Sequence, residues 1–427
     1  MMSEDWGFIK DAIYGYLIIS KNQKEIIDTY PMQRLRRIRQ LAGSEYVYMG
    51  ATHCRFSHSL GVSHLAEQLI INLSRNVEIS RSQIEKIKIA AMLHDIGHGP
   101  FSHVSESLLI NYLEKTHEDM TTWIIQKSEL KEKLEKMGYD SDEISKLAVG
   151  KLRKKGEFFM DQIISSSVDV DALDYIVRDS RFSGAEYGFV DIFRLIYSMD
   201  IVSPNGDLAI DLTALSALEA FLLARFESFK SIYFHKTSRA VQIMIADALD
   251  RAKEELDFLN IKTPDDYLKW DDYTTWTMLK NSQASSDIID NLCRRILLKV
   301  AYEQTSHVKE EIFPTIVTKD KVRLQIEKEI AEKAKVDPEK VWIDVPNLPS
   351  VPYRHSIHFE PMEIPVFQKT RDGKKITKRI TEISNVIRVL KGFLNIVRVY
   401  TYDDKREIVA KAAEKVFGIP SSAKISM

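Results

Sequence analysis

A mainly α fold, with small β elements at the N-terminus and in the C-terminal region, is predicted from three observations. Glycine and proline are scarce, 16 and 12 in 427 residues, in a chain that is 44% hydrophobic and 29% charged, a balance that suits a soluble helical protein. Apolar residues recur at helical spacing through most of the chain, as in Leu65, Leu69 and Leu73. Two short stretches break that rhythm and read as hairpins, one around Gly15 and one around Asp372 and Gly373.

The length suffices for two or three lobes at about 100 to 200 residues each. A boundary near residue 258 is expected, with a catalytic core over 1–258 and a helical and hairpin region with oligomer contacts over 259–427. A net charge of −2 gives no global basic field for nucleic acid. Cys54 and Cys293 cannot build a disulfide framework, and no CxxC pair marks a zinc knuckle. No apolar run approaches the roughly 18 residues a membrane span needs. A cytoplasmic protein without signal peptide or membrane span is expected.

Taken in order, residues 7–20 (GFIKDAIYGYLIIS) predict a strand or hairpin turning at Gly15. From Lys24 one helix is expected, carrying Arg34, Arg36, Arg37 and Arg39 on a solvated surface. GATHCRFSHSLGVSHLAEQLIINL runs from a loop into an amphipathic helix, with Arg55 and His58 near its start. A further helix runs up to Gly97, with Ser82 and Glu85 as its capping box, Ile84, Ile87 and Ala91 on one face, and His94 and His98 one turn apart at its end. Gly97, Gly99 and Pro100 end it, and Thr116 caps the next. Residues 127–157 read as an exposed helical pair. In SSSVDVDALDYIVRDSRFSGAEYG, helical spacing puts Asp171, Tyr175 and Arg178 on one side and Leu173, Ile176 and Val177 toward the core. After a strand or turn pair near Asn205 and Gly206, a helix over 212–257 aligns Arg225, Phe229, Tyr233 and Lys236. Residues 260–345 read as more helix. Pro346, Pro349 and Pro352 mark an extended segment, EIPVFQKTRDGKKITKRI a solvated edge hairpin, and the tail from Asp404 returns to helix.

The chemistry concentrates in Ile89–His103, IAAMLHDIGHGPFSH. Seven of the 11 histidines, at 53, 58, 64, 94, 98, 103 and 117, fall within 65 residues, where an even spread would place fewer than two. His64 and His53 fit the ordinary role of hydrogen-bonded core residues; the other five do not. Adjacent His94 and Asp95, with His98 one turn on, suit a divalent ion of the manganese, iron, cobalt, nickel or zinc type. Such an ion lowers the pKa of bound water toward about 7 and so suits hydrolysis, while spare imidazoles handle protons. Arg55, Arg225, Tyr233 and Lys236 supply donors for a polyphosphate. No GxxxxGK[ST] or GxGxxG cradle is present.

RFSHSLGV, HDIGHGPFSH, THED and DVDALDYIVRD, in that order, resemble the motifs of the HD-domain metal-dependent phosphohydrolases. They are most similar to the deoxynucleoside triphosphate triphosphohydrolases of the sterile-alpha-motif/HD type, without that accessory domain. The likeness covers roughly residues 8–250. It implies a helical HD core and a metal held by His58, His94, Asp95 and Asp171, with Asp169 as the alternative to Asp171, and with magnesium as an added ion. Attack would fall on the α-phosphorus of a dNTP, releasing deoxynucleoside and inorganic triphosphate. His103 would be the general acid, with His98 and His117 along the phosphates and Arg55 clamping them. Gln40 and Leu41 would check the sugar, Tyr175 and Asp179 complete its pocket, and Arg225, Tyr233 and Lys236 line the wall. Phe229 and Phe234 stand where relatives carry histidine and glutamine.

The likeness also implies a homo-oligomer, a dimer or tetramer, switched on by GTP or dGTP. Asp28, Gln33 and Arg36 would read the guanine, and Arg295 and Lys299, from a later helix, would meet its phosphates. Gly7 replaces the basic residue expected near the N-terminal strand. Two other readings stay open: a phosphohydrolase of nucleoside monophosphates or cyclic nucleotides, and a non-catalytic nucleotide or nucleic-acid binding module with a structural metal.

Overall fold

Strands β1 (Asp5–Asp11) and β2 (Gly15–Ser20) form the predicted N-terminal hairpin, antiparallel with Phe8 opposite Ile18. The computed structural model describes residues 5–202, 206–308, 320–349, 364–390 and 393–422. Gly15 has φ 80°, which a side chain would resist, and so closes the turn.

The single arginine-rich helix expected from Lys24 is instead two short ones, α1 (Lys21–Ile27) and α2 (Tyr30–Arg34), followed by a 3₁₀ turn, Leu35–Arg37. Pro31 explains the restart: it fits the first turn of a helix but not the middle of one. One of the arginines departs from the expected solvated surface, while Arg36 keeps to it. Arg34 is fully buried, donating to the carbonyls of Trp270 and His98 at 2.8 Å each, while Arg36 lies over Phe56.

Helix α3 (Arg55–Leu73) matches its prediction, with Leu65, Leu69 and Leu73 fully buried. Helix α4 (Arg81–Leu93) starts two residues before the expected cap: Ser80 and Gln83 make the capping box, and Glu85 turns to Lys88 instead. Thr116 caps α6 (His117–Lys127) with Asp119 as its box partner, behind α5 (His103–Leu113). The lysine- and glutamate-rich stretch forms α7 (Glu129–Lys136) and α8 (Ser141–Ala148). After α9 (Phe158–Ile164), α10 (Val170–Ser183) carries the DVDALDY segment.

Beyond α11 (Ile192–Ile196), the strand pair expected near Asn205 and Gly206 is β3 (Met199–Ile201) and β4 (Leu208–Asp211); Asn205 lies outside the described residues. The long helix expected over 212–257 is broken into α12 (Leu215–Ser228), one π-helical stretch Phe229–Tyr233, and α13 (Lys236–Ala252). This break rotates Lys236 out of line with Arg225 and Tyr233. Short helices α14 (Pro264–Leu268), α15 (Asp272–Asn281) and α16 (Ser286–Cys293) follow.

The helical reading of 260–345 fails at β5 (Lys299–Val308). Val300, Ala301 and Tyr302 are buried in succession because both faces of β5 are covered, so the strand shows no alternation to read. It pairs antiparallel with β10 (Phe393–Thr401), which also pairs β6 (Trp342–Asp344) and β7 (Asn347–Pro349). Pro352 lies outside the described residues. The Asp372–Gly373 hairpin is present as β8 (Pro365–Lys369) and β9 (Lys375–Arg379), with β9 at the edge and largely exposed. It does not stand apart: β8 pairs in parallel with β4, Ile210 opposite Val366. The C-terminal helix is Arg406–Phe417.

The main core joins α1–α4 and α6–α12 with Ile364, Val366, Ile380 and Ile387. A second core runs along α13, and a third lies between the β5–β10 sheet, helix Asp320–Ala334 and the C-terminal helix. No helix among the described residues is long and apolar enough to cross a membrane.

Candidate active site

Two helices and one turn bring the polar cluster together. Helix α3 passes α10 so closely that a side chain at Gly61 would fall on Asp174 and Arg178. That approach sets the His58 ring against α10. Its Nδ1 lies 2.7 Å from Asp174 Oδ2; a carboxylate there accepts the Nδ1 hydrogen and leaves the Nε2 lone pair free. Asp174 is held in turn by Arg178 (Nε to Oδ2 2.8 Å), whose other arm reaches Asp11 in β1 at 2.8 Å. Arg178 therefore does not share a face with Asp171 and Tyr175, as spacing suggested; it is fully buried behind the site.

His94 and His98 do meet, though not through helical periodicity. Helix α4 ends at Leu93, and the residues after it are a tight turn. His94 donates from Nδ1 to the Ala91 carbonyl at 2.8 Å. Its Nε2 and that of His98 then each lie 3.3 Å from the same oxygen, Asp95 Oδ1. The glycines serve close approach rather than a helix cap. A side chain at Gly97 would fall on the backbone of His117 and Thr121, and Thr121 Oγ1 ties the turn by accepting from Gly97 N and donating to His94 O.

The four expected ligands converge. His58 Nε2 is 3.1 Å from Asp171 Oδ1 and 3.6 Å from Asp95 Oδ2, and His94 Nε2 is 3.7 Å from Asp171 Oδ1. Asp169 is instead spent on capping α10, accepting from Ser166 N and Ala172 N at 2.8 Å each. Both free Nε2 atoms, of His58 and His94, are buried without a hydrogen-bond partner. Burying two such acceptors beside two carboxylates is costly unless a cation joins them. Two imidazoles and two carboxylates fit a borderline divalent ion, and His58, His94 and Asp95 are close enough together to hold one.

Without the ion, the electrostatics show the same demand for positive charge. Burial alone would lower His58, but the adjacent carboxylates of Asp171 and Asp174 carry its pKa up to about 10. Burial would raise Asp95, yet Arg55, then His94 and His98, hold it well below the usual carboxylate range. His98 behaves oppositely. Its burial, with Arg55 and His117 nearby, pushes it well below 6.5, so it is neutral at neutral pH.

A cavity of about 1370 Å³ opens from this corner. Asp95 and Asp171 form its floor, with His58 and His94 behind them. His98, His103 and His117 make one wall, and their rings contact each other, His98 stacking on His117 at 4.1 Å. These three could themselves hold an ion. Gln40, Leu41 and Arg55 also line it, with Tyr175, Asp179, Arg225, Phe229, Tyr233 and Phe234, and it runs on along α13 to helix Asp320–Ala334 and β6. Lys236, predicted for this wall, is exposed and does not line the cavity; the break at Phe234–His235 turns it away.

Three functional residues escaped the sequence reading. Asp174 sets the His58 tautomer; its place three residues after Asp171 was the available signal. Glu106 bridges the histidine wall, with Oε2 2.9 Å from His103 Nδ1 and Oε1 2.5 Å from His117 Nδ1. Burial would raise its pKa, but the two imidazoles hold it far below the usual range. His53, read as a core residue, is buried, but its Nε2 lies 2.8 Å from Asp179 Oδ1 while Tyr233 donates to the other oxygen at 2.5 Å.

The residues suggested for an activator lie on several elements. Asp28 ends α1 and pairs with Lys24 at 2.7 Å, while Gln33 donates to Ile27 O and accepts from Arg36. Arg295 and Lys299 are not helical: Arg295 follows α16 at φ 59°, and Lys299 begins β5.

Comparison with known proteins agrees with this geometry. The HD domain model matches residues 55–179, and the model of the HD associated region matches residues 190–426. The chain belongs to the HD-domain phosphohydrolase family. The HD match begins at Arg55 and ends at Asp179, enclosing the whole ligand quartet. The Bacillus subtilis protein YwfO is 30% identical over 71% of this chain and 72% of its own. The deoxynucleoside triphosphate triphosphohydrolase SAMHD1 homolog of Dictyostelium discoideum is 31% identical over 77% of this chain, which spans 64% of that protein. For human SAMHD1, named a deoxynucleoside triphosphate triphosphohydrolase, the figures are 29%, 71% and 52%. A solved Aquifex aeolicus protein has TM-score 0.75 at 27% identity, covering 96% of this chain and 99% of its own. A phosphohydrolase from Bacteroides thetaiotaomicron has TM-score 0.72 at 26% identity, with 93% and 99% covered.

Proposed function

We propose that this HD-domain protein is a cytoplasmic deoxynucleoside triphosphate triphosphohydrolase, converting a dNTP and water to deoxynucleoside and inorganic triphosphate. The observation that carries the reading is the single cavity joining the His58–His94–Asp95–Asp171 corner to the histidine wall and to Gln40, Leu41, Tyr175 and Asp179. Its volume of about 1370 Å³ admits a whole nucleoside triphosphate. The Dictyostelium and human relatives, both named deoxynucleoside triphosphate triphosphohydrolases, support the same reading.

When bound, a divalent ion of the manganese, iron, cobalt, nickel or zinc type, with magnesium as an added ion, would supply Lewis-acid charge and activate water for attack at the α-phosphorus. The chain's own residues do the rest. Arg55 offers a guanidinium to the phosphates, and His98 and His117 lie along them. Glu106 accepts the Nδ1 hydrogen of His103; in the imidazolium form the ring also carries an Nε2 hydrogen, which passes to the departing 5′ oxygen and leaves a neutral ring. Gln40 Oε1 is buried without a partner and is available to a sugar hydroxyl, and Leu41 beside it crowds a 2′ hydroxyl. Tyr175, whose burial pushes its phenol up to about 12, stays a neutral hydrogen-bonding group beside Asp179 and Arg225.

We extend the proposal to a dimer or tetramer activated by GTP or dGTP, with Asp28, Gln33 and Arg36 reading the base and Arg295 and Lys299 meeting phosphates. The exposure of Asp28, Arg36, Arg295 and Lys299 supports it. A core over 1–258 and an oligomer-contact region over 259–427 complete the picture.

Incubating metal-loaded protein with each dNTP and NTP, with and without GTP, and resolving the products tests all of this. Inorganic triphosphate from dNTPs is expected. Turnover confined to nucleoside monophosphates or cyclic nucleotides, or no turnover, would overturn the activity. Rates for dATP unmoved by GTP or dGTP would remove the activator.

A further inference from the structure

The cavity is built from two backbone segments that local sequence does not hold together. Segment 38–41 carries Gln40 and Leu41; turn 97–102 leads into His103. Phe101 and Ser102 in that turn sit at φ 57° and 56°, a left-handed backbone that non-glycine residues adopt only when surroundings enforce it.

Asp272, the first residue of α15, is buried directly behind both segments. Its Oδ1 accepts from Phe101 N at 2.6 Å and its Oδ2 from Arg39 N at 2.8 Å. A parallel tie runs beside it: Ser102 Oγ donates to Arg39 O at 2.5 Å and accepts from Arg55 Nε at 2.7 Å. The neighbouring Asp271 faces elsewhere, capping α15 at Thr274 N and pairing with Arg37. Among the described residues no ion pair engages Asp272. Burial, with Asp271 adding to it, pushes the Asp272 carboxyl up to about 7 against the lowering effect of the two amides and of Arg39. A carboxylate kept at such a cost, with both oxygens on backbone amides of different segments, fits a geometric task better than a stabilising one.

We propose that Asp272 is a positioning residue, a two-oxygen clamp that sets Gln40 and Leu41 opposite His103 and so governs both turnover and the rejection of ribonucleotides. This rests on the triphosphohydrolase reading above. Only a carboxylate fulfils the role: an asparagine offers one oxygen to one amide and turns N–H groups against the other.

The test is Asp272→Asn, with Ser102→Ala as a second variant that removes the parallel tie and leaves Asp272 intact. For D272N, kcat/KM for dNTPs is expected to fall about 10- to 100-fold, the scale of a misplaced reacting group. Metal content stays at the wild-type level, the dNTP-to-NTP preference narrows, and the Arg39 and Phe101 amides exchange hydrogen faster. S102A narrows the same preference. A D272N protein with wild-type kcat/KM and preference, or wild-type exchange at both amides, overturns the clamp. So does an unchanged preference in S102A where D272N fails to fold. If the wild-type protein turns over no dNTP, the functional reading fails by itself, and exchange at Arg39 and Phe101 still decides the clamp.

Discussion

The molecule holds two groups of histidines at one site, one lining the cavity and one behind its carboxylates, and they are built on opposite plans. His58 and His94 are buried, each with Nδ1 tied to a fixed acceptor, Asp174 in one case and the Ala91 carbonyl in the other, so that both Nε2 atoms point at one place. His98, His103 and His117 are graded in depth, their side chains 2%, 69% and 24% exposed, and the last two share one carboxylate partner, Glu106. The first plan fixes tautomer and direction, which a ligand shell requires. The second leaves ring nitrogens open to substrate and solvent, which proton transfer requires. Residue type is the same; the partner of Nδ1 and the depth decide the role.

If the contrast is real, breaking the first group has the largest effect. H94A or D171A should lose bound metal, read by elemental analysis, and lose measurable turnover with it; metal retained in both would remove the quartet. H103A should keep its metal while kcat drops about 10²- to 10⁴-fold, the usual worth of a positioned acid, and E106Q should show a smaller loss in the same direction. Turnover of H103A near wild type would contradict its role.

Between these lies D174N, which preserves shape and leaves Arg178 its contact with Asp11. Metal affinity should fall about 10- to 100-fold, as for other residues that orient a ligand from behind, and titration of the apoprotein measures it. An unchanged affinity would mean that His58 needs no tautomer lock.

The smallest expected effect is on stability against pH. Asp272 is raised to about 7 in the folded protein, by burial first and by Asp271. Its protonated form therefore favours folding: that contribution is complete below the usual aspartate value and is lost as pH rises through about 7. Arg39, and Arg37 through Asp271, face the same group from the other side. The Tm advantage of wild type over D272N should accordingly shrink between pH 5 and pH 8; an advantage that grows would reverse the sign.

Much of the architecture was legible because its signals are local. The Gly15 hairpin, the Asp372–Gly373 hairpin, the Thr116 cap and the Leu65–Leu73 stripe each depend on residues close in sequence. Where the reading failed, a distant partner had overruled the local pattern. Arg34 looked like a surface cation until its partners, 64 and 236 residues away, were seen. Strand β5 looked helical because its apolar residues serve two cores at once, Val300 in the one along α13 and Ala301 and Tyr302 in the one beneath the C-terminal helix. The convergence of His94 and His98 was expected for the wrong reason: a turn, not a helix, makes it.

By itself the sequence determined the chemistry on offer: which imidazoles and carboxylates exist, that they crowd one region, and that glycines stand where backbones must approach. The tertiary structure alone decided which nitrogen of each imidazole is free, that Asp171 rather than Asp169 reaches the cluster, and that Lys236 turns away from it. These depend on side chains brought within about 3 Å across more than a hundred residues of chain, as His58 and Asp174 are. No local period encodes a contact of that kind; only the packed core that presses α3 against α10 does.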